Sequence, residues 1–161
     1  LETLESEAYL ERLNSPTPWT SKMMNHYRGM TRGLCSVERS YGYGTGHHSL
    51  LVRFKPAADS ASLIDWLDGQ VLRHLPSRPG LGSVHLLRGA LAASMTSEQQ
   101  IRGVDAGLDW ALMATGYEPE AVAALESTEL SLGELRAHGC ASASLVLYRA
   151  AHSLSAGEID A

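Results

Sequence analysis

Between Gly46 and Leu154 the chain alternates strand-like and helix-like runs, and their order limits its fold more than any other feature. H-S-L-L-V-R-F, His48 to Phe54, has the apolar character of a buried strand. In D-S-A-S-L-I-D-W-L-D-G-Q-V-L-R-H-L, Leu63, Trp66, Leu67, Val71 and Leu75 recur on one helical face, with Asp65, Asp68 and Arg73 off it. After the R-P-G turn at Arg78 to Gly80, L-G-S-V-H-L-L-R-G reads as a second strand. A polar connection from Ala92 to Gly107 follows, with a capping box at Ser97 to Gln100. L-D-W-A-L-M-A-T-G-Y is the third strand. Pro119 opens a further helix, Ser131 and Glu134 form a second capping box, and Gly139 suits the residue after a helix end. S-A-S-L-V-L-Y-R-A-A-H-S-L is the last strand.

The resulting β-α-β-β-α-β order predicts an α+β, ferredoxin-like fold: a four-stranded antiparallel sheet over residues 46–154 with helices on one face. Residues 1–45 read as a helix–strand extension, with Thr17 as an N-cap and Pro18 at the first helical position. That extension looks like a truncated second repeat, and residues 155–161 read as a tail. The strands L-L-V-R-F and S-L-V-L-Y-R are apolar on both faces, whereas a sheet with one wet face alternates cleanly. A homodimer is the expected assembly.

S-Y-G-Y-G-T-G, Ser40 to Gly46, resembles a nucleotide fingerprint at first sight. Its spacing is G-x-G-x-G rather than G-x-G-x-x-G, a strand rather than a helix follows, and no Gly-Lys-Ser/Thr triplet exists. The glycines are expected to turn one strand into the next as a hairpin.

Composition narrows the partners. The net charge is −5, only Lys22 and Lys55 are lysines, and no basic run is present, so no nucleic-acid partner is expected. Cys35 and Cys140 match no zinc or redox spacing and read as free thiols of a reducing compartment. No apolar run spans a bilayer and no secretory core is visible, so no membrane partner and a cytoplasmic location are expected. From the start at Leu1 rather than Met, a trimmed chain or a piece of a longer one is expected, which leaves an upstream signal open.

D-W-L-D-G-Q-V-L-R-H-L-P-S-R-P-G-L-G-S-V-H-L-L-R, Asp65 to Arg88, carries a resemblance: a helix with an aromatic, then L-P-x-x-P-G, then a strand ending in arginine. It resembles the α1–β2 passage of the dimeric α/β-barrel superfamily of ferredoxin-like proteins, and the likeness covers about two-thirds of the chain. It implies two sheets packed face to face, from two chains or two repeats, with the helices outside. Members of that superfamily include cofactor-free monooxygenases, isomerases, polyketide cyclases, dehydratases and haem proteins, and fold alone does not choose among them.

Two histidines on strands are candidate catalytic residues, His48 and His85, because an imidazole titrates near neutral pH. His48 shares a face with Leu50, Val52 and Phe54; His85 shares one with Ser83 and Leu87. The competing reading for His85 is a core histidine bonded to a backbone carbonyl. Arg28 and Arg32, in H-Y-R-G-M-T-R-G, are candidates for binding a substrate carboxylate; the alternative is two solvated arginines at a helix end. Trp110 and Tyr148 are candidate walls of a cavity, or equally core residues. No metal is expected, since adjacent His47 and His48 point to opposite faces of a strand and no H-x-H or H-E-x-x-H occurs. No Ser-His-Asp hydrolase is expected either, because there is no G-x-S-x-G elbow.

The leading expectation is a small-molecule enzyme with no cofactor, neither nucleotide nor metal. It would perform acid–base chemistry, as an isomerase, lyase, cyclase or cofactor-free monooxygenase, on an apolar or aromatic substrate, with or without a carboxylate, in the cavity between helices and sheet. A non-catalytic ligand-binding or assembly module is the alternative. A haem-binding barrel protein is the third, and a Soret band would reveal it.

Overall fold

The computed structural model describes residues 6–29, 33–57, 60–90, 97–102 and 107–152. The chain divides into two compact units, Leu1–Leu34 with Ala90–Leu108, and Cys35–Gly89 with Asp109–Ala161.

Among its described residues the first unit has three short helices. Helix α1 (Glu7–Asn14) starts where the Ser6 hydroxyl accepts from Tyr9 N, and α2 (Pro18–Met24) where the Thr17 hydroxyl accepts from Thr20 N. Proline at the first helical position costs α2 nothing, because that N–H has no intrahelical partner in any case. Helix α4 (Ser97–Arg102) is tied to α1 by Ser97 N donating to Asn14 Oδ1 at 3.2 Å.

The second unit is built on one sheet of five strands: β1 (Cys35–Gly42), β2 (His48–Pro56), β3 (Leu81–Gly89), β4 (Trp110–Gly116) and β5 (Cys140–Arg149). Their order is β1-β3-β4-β2-β5, and every neighbouring pair is antiparallel. The four strands from β2 to β5 have the ferredoxin-like order. The fifth is an addition to the expected four: β1 extends the sheet beyond β3, so this part of the N-terminal extension belongs to the same sheet and the same unit. The expected tail at 155–161 lies outside the described residues.

One sheet face carries the core. Leu50, Val52 and Phe54 of β2 align with Ala114, Leu112 and Trp110 of β4, and Val84 and Leu86 of β3 continue the rows. These side chains, Trp110 apart, are buried with Leu63, Leu67, Val122, Leu125 and Leu135 from the helical layer. That layer comprises α3 (Ser60–Trp66), α5 (Pro119–Ala124) and α6 (Leu132–Ala137). Helix α6 has the expected cap, Ser131 Oγ accepting from Glu134 N at 3.3 Å, and Gly139 follows it with φ +94°.

Two local expectations are corrected. The segment read as one α-helix to Leu75 changes at Leu67 into a π-helical turn (Leu67–Leu72), followed by a 3-10 turn at Leu75–Ser77. A π turn holds an extra residue, and here it brings both Val71 and Leu72 into the core. The glycine stretch, moreover, is not a hairpin. β1 and β2 are separated by β3 and β4, and the loop runs across the ends of both. Gly44 N donates to Gly82 O at 3.4 Å, while Thr115 Oγ1 donates to Gly44 O at 3.2 Å. A Cβ on Gly46 would stand 1.9 Å from Gly116 O. Close backbone approach is what requires this glycine.

Candidate active site on the second sheet face

Alternation along each strand places the remaining side chains on the second face. One cross-strand row runs Ser40, His85, Met113, Leu51, Val146 from β1 to β5. Beside it lies a row of hydroxyls, Ser83, Thr115, Ser49 and Tyr148, in which Ser83 Oγ and Thr115 Oγ1 are 2.9 Å apart. On the other side stand Leu87, Ala111, Arg53 and Ser144. This face is therefore mixed: apolar enough to receive an organic ligand, with polar groups at fixed points.

Its central feature is His85, half-buried, whose Nδ1 lies 2.8 Å from Ser40 Oγ. Among the described residues nothing bonds to its Nε2. If Nδ1 carries the proton, Ser40 accepts it and Nε2 presents a lone pair to the face. The two residues stand opposite each other in register, so backbone pairing holds both ends of the bond.

Of the other sequence candidates on the sheet, Tyr148 shares the face of His85, and His48 and Trp110 do not. His48 lies on the helix-covered face, opposite Gly116 and Arg149, so the sheet itself separates the two histidines. Trp110 is on that same covered face at the far end, stacked on Phe54 with ring centroids 6.2 Å apart. Tyr148 shares the second face with His85 but sits on the edge strand β5, half-exposed. Arg28 belongs to the first unit, where its Nη1 donates to Asn25 O at 2.5 Å and to Tyr27 O at 2.8 Å. That is the contact of an arginine closing the end of α2. Arg32 lies outside the described residues.

Two groups escaped the sequence reading. Arg53 is on the second face, and its Nε is buried without a hydrogen-bond partner. Its signal was present in L-L-V-R-F: a charge on the face opposite Leu50, Val52 and Phe54. The second group is a clamp on β1. Tyr41 donates to Asp68 Oδ1 at 2.5 Å, while Arg39 and Arg73 reach Asp68 Oδ2 at 3.3 and 3.2 Å. The Tyr41 hydrogen bond, opposed by burial and helped by both arginines, holds the Asp68 carboxyl below the ordinary range. The clamp fastens the edge strand to the π-helical turn.

The helical layer also contains an open groove of about 460 Å³ lined by Trp66, Gln70, Val71, Thr128, Glu129 and Glu134. None of the sequence candidates lies there. Trp66 stacks on His138 at 3.9 Å, and Glu129 pairs with Arg78. Cys140 is buried, and burial pushes its thiol up, away from the reactive thiolate. Among the described residues no group of three or more His, Cys, Asp or Glu is placed to hold a metal ion, and no helix is long and apolar enough to cross a membrane.

No protein-family model matches the chain, and no curated protein matches it. A solved structure of an anthrone oxidase-like protein is similar to it, with a TM-score of 0.51 and 18% identity. The match covers 77% of this chain and 56% of that one, so the chain spans little more than half the length of its neighbour. At this identity the likeness is one of fold. With the five-stranded antiparallel sheet and its helical layer, it defines a ferredoxin-like α+β fold.

Proposed function

We propose that this chain is a small-molecule enzyme using neither nucleotide nor metal, which removes a carbon-bound proton from an aromatic ketone lying on the second sheet face. His85 is the base, and the observation that carries this reading is its Nδ1 contact with Ser40 across β1 and β3. In the tautomer this reading uses, Nδ1–H donates a hydrogen bond to Ser40 Oγ and the lone pair stands on Nε2. The substrate C–H bond breaks, its proton passes to Nε2, and its electron pair delocalises into the carbonyl and rings as an enolate. Leu87, Met113 and Leu51 supply an apolar surface for the rings. The fold neighbour is an anthrone oxidase-like protein, and anthrone is a tricyclic aryl ketone with an acidic methylene between two rings. That is the kind of carbon acid an imidazole base suits. A second copy of the chain closing over this face, as a homodimer, completes the reading; a monomer in light scattering would remove that element.

The test is exchange of the anthrone methylene protons in deuterated buffer, followed by NMR, for the native chain and His85→Gln. Loss of a true base slows exchange on the order of a hundredfold while the thermal midpoint is kept. Lower stability with unchanged exchange per folded molecule would instead assign His85 to sheet packing and the chain to the ligand-binding modules.

A further inference from the structure

We infer that Arg53 is the anion anchor of this same face and that the ligand it receives is an aromatic carboxylate, an inference that rests on reading the face as a ligand site. The guanidinium has five N–H donors and no way to lose its charge. Its Nε is nevertheless buried with no partner. Burying a donor unpaired is unfavourable, and sequences retain such a group where something else satisfies it. The register neighbours of Arg53 are Ala111 on β4 and Ser144 on β5, neither of which can neutralise it. The contrast with Lys55, the next residue of β2 on the same face, is direct: Lys55 has Asp109 at 3.9 Å. Among the described residues Arg53 has no such carboxylate.

Geometry links this cation to His85. The two residues lie two strands and one row apart, about 12 Å between Cα atoms. Between them stand Ala111, Leu87, Met113 and Leu51, small or apolar. A fused-ring body lying over these residues, with a carboxylate at one end, places that carboxylate at Arg53 and a ring carbon toward His85. Arginine takes a carboxylate by two parallel N–H···O bonds, end-on from its two Nη groups or side-on with Nε; Nε is covered as well as unpaired here, so the side-on pair requires the guanidinium to swing out toward the ligand. The sequence reading placed this role on Arg28 and Arg32; among the described residues of the sheet, Arg53 is the arginine that shares a face with the imidazole.

The probes are anthraquinone-2-carboxylate and its neutral carboxamide, titrated calorimetrically against the native chain, Arg53→Gln, Arg53→Lys and His85→Gln at low salt. The carboxylate is expected to bind the native chain at least about tenfold more tightly than the amide, the worth of one charge-assisted pair. Arg53→Gln removes that preference, Arg53→Lys keeps part of it, and His85→Gln leaves it intact. The proposal is overturned if Arg53→Gln keeps the preference, or if the native chain binds neither compound or both equally. The catalytic reading of His85 fails separately, through unchanged methylene exchange in His85→Gln, so one result does not stand in for the other.

Discussion

Ser40 Oγ and His85 Nδ1 lie 2.8 Å apart, and the two residues are direct partners in the β1–β3 ladder. The bond therefore depends on β1, the strand added at the edge of the ferredoxin-like four. An added edge strand here gives the imidazole its orienting partner. Ser40→Ala should leave folding intact, since Ser40 is exposed, and should slow methylene exchange roughly three- to tenfold, the worth of one neutral hydrogen bond. Nitrogen NMR of His85 gives the independent readout: one dominant tautomer in the native chain, a mixture in the variant. An unchanged tautomer ratio would show that Ser40 does not orient the ring.

The crossing loop gives a second prediction. Gly46→Ala puts a methyl 1.9 Å from the carbonyl oxygen of Gly116, where backbone must move on both sides. A loss of about 2–4 kcal/mol in urea unfolding is expected, in the range of other steric insertions into packed positions. Gly69→Ala is the control. A Cβ there meets nothing within 4 Å, its φ is not positive, and it sits in the exposed part of the π-helical turn. It should stabilise by up to about 1 kcal/mol through helix propensity and unfolded-state entropy.

These glycines also show where sequence reading stopped. The run S-Y-G-Y-G-T-G correctly reads as a connection between strands, and the strand that follows correctly excludes a phosphate loop. Which strands it connects in space is not local information: a hairpin and a crossing loop need the same residues, and only the sheet order separates them. The ferredoxin-like order was legible because hydrophobic period follows directly from which face is buried. The π-helical turn was not, because Val71 and Leu72 are both core residues and an α-helical template assigns only one of them to the face. The site divided in the same way. Alternation put His85 with Ser83 and Leu87, which holds, but no periodicity could show that His48 and His85 lie on opposite faces of one sheet. Arg53 was visible as a charge in an apolar strand, while its unpaired Nε needed three dimensions.

The Asp68 clamp leads to a pH prediction. Its folded-state carboxyl lies below its ordinary value, chiefly through the Tyr41 hydroxyl. A carboxyl depressed on folding adds stability above its unfolded value, near pH 4, and that contribution disappears as pH falls through the folded value. The native chain should therefore lose stability below about pH 4 more steeply than Asp68→Asn. At pH 7 the variant should be less stable by under about 1 kcal/mol, because the arginines facing Asp68 are half-exposed and screened. Paired urea titrations at pH 7 and pH 3 measure both quantities. Parallel curves for the two proteins would mean that the clamp does not form in solution.

Arg53 separates a structural from a functional role most cleanly, because the two predict opposite signs. An arginine that holds the sheet together destabilises when removed, through lost hydrogen bonds and lost packing of its stem. Arg53 has a buried Nε with no bond to lose, and its neighbours in the row are apolar or small. Replacing it with leucine keeps most of the stem volume and removes an unsatisfied donor, whose burial costs about 1–3 kcal/mol. Arg53→Leu should accordingly be neutral or more stable than the native chain, by up to about 2 kcal/mol in urea unfolding. The same variant should lose the preference for anthraquinone-2-carboxylate over its amide. Higher stability with lost recognition is the pattern of a residue kept for its ligand. A clear fall in stability, with carboxylate preference retained, would make Arg53 a packing residue of β2 and leave the face without its cation.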